Sequence, residues 1–110
     1  MSQNVLQRAT PEAERSLAST SFDGTAQLIG TPLLFNPVIL ICDNQTDVEV
    51  PLYVNDVLWH TFSAGEALVL DMRGNIGLAS NFTFSVGDQF STDASVGTSG
   101  SIRISSLYAR

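Results

Sequence analysis

From Phe22 onward, apolar and polar positions alternate in short runs separated by Gly, Asn, Asp and Pro, a pattern of strands and turns. The clearest run is Val48 to Val54. Val48, Val50, Leu52 and Val54 share one side, while Glu49, Pro51 and Tyr53 take the other, as a half-buried strand requires. Asn55-Asp56 follows, two residues that tolerate positive φ and suit a tight hairpin turn. Pro51 has no N–H for a ladder, so this strand is expected at an edge or a bulge. The returning strand, Val57 to Phe62, carries Trp59 and His60, which strict alternation sends to opposite faces.

The same reading places strands near Ala26 to Ile29, Leu33 to Phe35, Val38 to Cys42, Ala67 to Met72, Asn81 to Val86 and Ser101 to Tyr108, with a short one around Gln89 to Ser91. In the last, Ile102 and Ile104 face inward and Arg103 and Ser105 outward. The predicted fold class is all-β, an antiparallel, jelly-roll-like β-sandwich of about eight strands. Residues 1 to 21 differ in kind, being rich in Gln, Ala, Arg and Glu and free of aromatic residues. They are read as an N-terminal arm preceding a sandwich domain over 22–110. Thr10-Pro11-Glu12 resembles a helix start, with Thr10 as N-cap and Glu12 and Glu14 near the positive end of the dipole. A short helix is therefore expected to run to about Ser19, marginal on its own.

The 110 residues make one domain of 44% apolar composition with only 15% charged residues, against roughly 25% in a typical soluble domain. Eleven carboxylates face five arginines, and lysine does not occur. That balance argues against nucleic acid and against anionic membrane surfaces, both of which need a basic stripe. The longest apolar run, PVILIC, is far shorter than the about 20 residues of a spanning helix. The polar N-terminus has no secretory apolar segment, so synthesis in a cytoplasm is expected, and the sequons at Asn44 and Asn81 are read as unmodified.

The densest chemistry lies in DNQTDVE, where Asp43, Asp47 and Glu49 fall close together. Calcium favours such oxygen-rich loops, but the spacing and the bidentate glutamate of the known loop are missing. The alternative is a polar turn whose side chains bond the local backbone. Nucleophilic hydrolysis has only His60 as a base, and Gly97-Thr98-Ser99-Gly100 lacks the spacing of a nucleophile elbow. Zinc needs more Cys and His ligands than Cys42 and His60 supply; Cys42, inside VILIC, is read as a buried hydrophobe. No catalytic, metal or cofactor-binding residue is assigned, no cofactor is expected, and the chain is read as non-enzymatic. A carbohydrate-binding module stays open as an alternative, with Tyr53, Trp59 and Tyr108 as its aromatic platform.

Five segments carry a resemblance: Leu28 to Pro37, Asn44 to Asp47, Ala64 to Asp71, Gly87 to Phe90 and Gly100 to Tyr108. Their order resembles that of small structural proteins of tailed bacteriophages, although the hairpin tip, Asn55-Asp56, departs from the acidic residue followed by glycine usual there. The resemblance implies a virion component, either a capsid decoration or cement protein or a collar or ring component at the head-tail junction. It further implies a homo-oligomer, a trimer being favoured, and contacts with the major capsid protein or with portal and neck proteins. Val5, Leu6, Leu17 and Phe22 are the candidate subunit-interface residues.

Overall fold

The computed structural model describes residues 9–71 and 84–109. The strands are β1 (Ala9–Pro11), β2 (Arg15–Ala18), β3 (Gln27–Leu28), β4 (Pro37–Asn44), β5 (Val50–Val54), β6 (Val57–Phe62), β7 (Ala67–Asp71), β8 (Phe90–Thr92) and β9 (Ser101–Ala109). They form two antiparallel sheets. In the first, β9 lies between β4 and the pair β1 and β2, and β7 flanks β4; the second has the order β3-β8-β5-β6. The all-β expectation holds.

The strands form where the sequence pattern places an apolar side chain at every second position. Leu40 and Cys42 of β4 and Ile102 and Ile104 of β9 meet Val50 and Leu52 of β5, Phe62 of β6 and Phe90 of β8 in one core. Each large side chain so buried contributes about 1.5–3 kcal/mol. Cys42 is buried as expected, and the loss of water pushes its thiol up to about 12. The β5–β6 hairpin turns at Asn55 (φ 51°) and Asp56 (φ 68°), the two left-handed residues of a type I′ turn. At Pro51 the strand is open on one side, because β8 reaches only Tyr53 and Val54.

Several local expectations fail here. The helix beginning at Thr10-Pro11-Glu12 is not formed. Thr10 pairs with Tyr108 and Pro11 with Leu107, and Arg15 to Ala18 pair with Ile104 to Ser101. A helix this short yields few internal bonds, whereas the side of β9 offers a ladder and a core for Leu17 to pack against. A single turn of 3₁₀ helix, Ser19–Ser21, follows β2. Leu33 to Phe35 likewise forms no strand: Leu33 is buried and bonds Asp88 and Gly87 through its backbone, and Leu34 and Phe35 stay exposed. Of the strand expected over Asn81 to Val86, residues 81–83 lie outside the described residues, as does Met72, and Phe84 to Val86 are not in a strand.

The β5–β6 register shifts between Leu52, opposite His60, and Tyr53, opposite Leu58. Trp59 is the extra residue of a β-bulge, and a bulge interrupts the alternation of faces. The Trp59 and His60 rings consequently stand 6.1 Å apart, centroid to centroid, not on opposite faces.

Candidate functional site

The acidic segment between β4 and β5 is organised by Asn44. Its side chain is wholly buried, and its amide nitrogen donates to the carbonyls of Val48 (3.0 Å), Phe62 (3.3 Å) and Ser63 (2.9 Å). Its oxygen accepts the Thr46 N–H (3.1 Å) and hydroxyl (2.6 Å). The turn is thus closed from within, which is the polar-turn alternative. Asn44→Ala is expected to destabilise the fold by about 2–3 kcal/mol, because three carbonyls lose a buried donor; urea unfolding followed by tryptophan fluorescence measures it.

The three carboxylates do not converge. Asp43 accepts the Gln45 amide at 2.7 Å, Glu49 is exposed, and Asp47 turns to the loop before β9. There it accepts the Thr98 N–H (2.9 Å), the Thr98 hydroxyl and the Ser99 N–H (3.3 Å). Among the described residues no group of His, Cys, Asp and Glu has the arrangement to hold a metal ion. The bonds from Thr98, first its hydroxyl and then its N–H, hold the Asp47 carboxyl down at about 2, from an ordinary 3.8. A carboxyl so depressed stabilises the fold above its unfolded value and loses that contribution as pH falls through the folded one. Protection of the Thr98 and Ser99 amides against hydrogen exchange should therefore fall between pH 3.8 and about 2, and Asp47→Asn should flatten the change.

A second polar centre ties the N-terminal strands to the loop before β4. Arg15 and Glu12 pair at 2.8 Å with side chains only 4% and 3% exposed. The guanidinium also donates to the carbonyls of Thr31 (2.6 Å) and Pro32 (2.9 Å), and the Glu12 carboxylate accepts the N–H groups of Leu34 and Phe35, each at 3.2 Å. Burial pushes the Glu12 carboxyl up, but the Arg15 hydrogen bond, the Leu34 N–H, the Arg15 charge and the Phe35 N–H together bring it below its ordinary 4.5. Gly30, with φ +67°, lies against the Arg15 stem, where a Cβ would stand 2.7 Å from Cγ. Sequence reading missed this pair, since arginine and glutamate ordinarily mark a solvated surface. Their signal was Gly30-Thr31-Pro32, a bend whose carbonyls turn toward the guanidinium.

The aromatic residues considered for a carbohydrate platform have separate partners. Tyr53 donates to Asp93 at 3.1 Å in a cleft of about 230 Å³ shared with Asp56 and Ser91. Trp59 lines another cleft, of about 320 Å³, with Val57, Leu58 and Phe84, and meets the Phe84 ring edge-on at 5.2 Å. Tyr108 is stacked under Phe35 at 3.9 Å. His60 bonds Glu66 at 3.1 Å. The Ser63 N–H first, and then His60, hold the Glu66 carboxyl below its ordinary value.

Of the candidate interface residues, Val5 and Leu6 lie outside the described residues. Phe22 is 2% exposed within the chain's own core, and Leu17 packs half-buried against it; the surface of Phe22 is taken up inside the chain. The apolar side chains that do reach solvent lie elsewhere. Leu34, Phe35 and Val86 are exposed beside one another, joined by the Asn36 side chain accepting the Val86 N–H at 2.8 Å. The outer face of the β9-centred sheet carries Val69, which is 60% exposed, with half-buried Ile39, Ile41 and Leu107. No protein family, curated protein or solved structure matches the chain.

Proposed function

We propose that the chain is a non-enzymatic structural component of a tailed-bacteriophage virion, a decoration or cement protein that stabilises the capsid by contacts between its own copies and with the major capsid protein. In this reading its two sheets are a jelly-roll-like sandwich. The observation that carries it is where the phage-like segments fall. Gly30, Thr31 and Pro32 cradle Arg15; Asn44 and Thr46 close the β4–β5 turn; Gly65, Gly87 and Gly100 take positive φ at turns; and Phe90, Ile102 and Ile104 are core. Such segments specify a scaffold, and the chemistry they contain is used up in holding it. A scaffold of low charge with apolar side chains left on its surface fits a protein whose work is packing.

Quantitative mass spectrometry of purified particles tests the reading. A copy number on the scale of the capsid lattice supports decoration, a copy number on the scale of one ring supports the alternative of a head-tail collar, and absence from particles overturns both.

A further inference from the structure

Strands whose two faces are both buried read as nearly continuous apolar runs, whereas a sheet with one wet face alternates. Both β4, with Val-Ile-Leu-Ile-Cys, and β7, with Ala-Leu-Val-Leu, are continuous. Their inward side chains, Leu40, Cys42, Leu68 and Leu70, already meet the core. The outward ones fall into register across three strands: Ile39 lies between Asp71 and Leu107, Ile41 between Val69 and Ser105, and Asp43 between Ala67 and Arg103. On β4 and β9, then, one end of this face is apolar, with Ile39 and Leu107, and the other is charged, with Asp43 and Arg103, while Asp71 of β7 borders the apolar end.

The charged end is held in place. Arg103 is fixed by Glu14 at 2.8 Å and by the Gln45 side chain at 3.0 Å, and the same Gln45 holds Asp43. Fixing both groups before association lowers the entropy that association costs.

We propose that this outer face binds a second copy of the chain about a twofold axis that runs parallel to the strands, over the line between β4 and β9 and about 5 Å above the outer face, midway between the two sheets. The register singles out that axis. Rotation about it carries β4 onto the partner's β9, so that Ile39 meets the partner's Leu107 and Asp43 meets the partner's Arg103. An apolar contact and an ion pair thus form twice, as an isologous interface requires. An axis along β4 itself sets Asp43 against its own copy, and an axis across the strands sets Leu107 against the partner's Arg103. The two sheets then pack face to face in the aligned manner of β-sandwiches, about 10 Å apart. This inference rests on the self-association in the proposed function and not on the particle: a chain absent from virions that still pairs through this face leaves the interface standing.

Sedimentation and light scattering of the full chain test it. The parent protein is expected to be a dimer. Ile41→Glu, which points away from the core, is expected to weaken association by about a hundredfold or more through an unpaired buried charge, with the circular dichroism spectrum unchanged. Asp43→Arg should dissociate the dimer by setting two arginines against each other, and the added change Arg103→Asp should restore it. A monomeric parent, a trimer, or a dimer indifferent to Ile41→Glu and Asp43→Arg would overturn the proposal, and the last would locate the contact on another surface.

Discussion

Gly100→Ala is expected to cost about 3–5 kcal/mol, enough to leave a marginal domain unfolded at room temperature. Gly100 has φ +77°, and a Cβ there would stand 1.8 Å from the Gln45 carbonyl oxygen and 2.7 Å from its carbon. Both obstacles are backbone, and neither can rotate away. The surrounding chain is pinned as well, by the Gln45 N–H to Ser101 (3.1 Å) and by the Ser19 N–H to the Gly100 carbonyl (3.0 Å). Gly24→Ala supplies the control. It has φ +81° with nothing within 4 Å of the new carbon, so it carries only the left-handed penalty of about 1–2 kcal/mol. The difference between the two urea midpoints isolates the clash.

Arg15→Met is expected to destabilise the fold by about 3–5 kcal/mol, the usual cost of breaking a buried ion pair from one side. Methionine keeps an apolar stem near Gly30 but leaves the Glu12 carboxylate without its cation and the Thr31 and Pro32 carbonyls without donors. The loss should depend on pH. With Arg15 present the Glu12 carboxyl lies below its ordinary 4.5, so its contribution is present above that value and fades as pH falls through the folded one. Without Arg15, burial pushes the carboxyl up and protonation relieves the variant. Its deficit should therefore be largest near neutral pH and shrink in acid, and Glu12→Gln in the same chain should recover part of it at neutral pH.

The hairpin and the long strands were legible because each has a local cause. Asn55-Asp56 admits positive φ at both positions, and Ile102 and Ile104 alternate with polar neighbours. The N-terminal strands were illegible for the opposite reason. Thr10-Pro11-Glu12 carries a true capping signal, and Glu12 and Arg15 even have helical spacing, but both side chains are committed to a loop some twenty residues away in the chain. Local propensity yields to such long-range bonding. The bulge at Trp59 was hidden likewise, since alternation is read within a strand and a bulge is defined against its partner. The acidic segment was read correctly as a turn, but the burial of Asn44 was not visible: its five hydrogen bonds reach across the β5–β6 hairpin as well as its own turn.

The central place of β9 has a consequence for the growing chain. β1 and β2 pair only with β9 among the described strands, and β4 has β9 as one of its two neighbours. On the ribosome, β4 can find β7 early, but β1 and β2 have no ladder until β9 has been translated and released. Until then Leu40 and Cys42 lack the covering side chains of Ile102 and Ile104, and two strand edges stand open, the condition in which nascent chains aggregate or recruit chaperones. Folding of this sheet thereby waits for β9, and a ribosome stalled before Ser101 displays a chain that cannot complete this core.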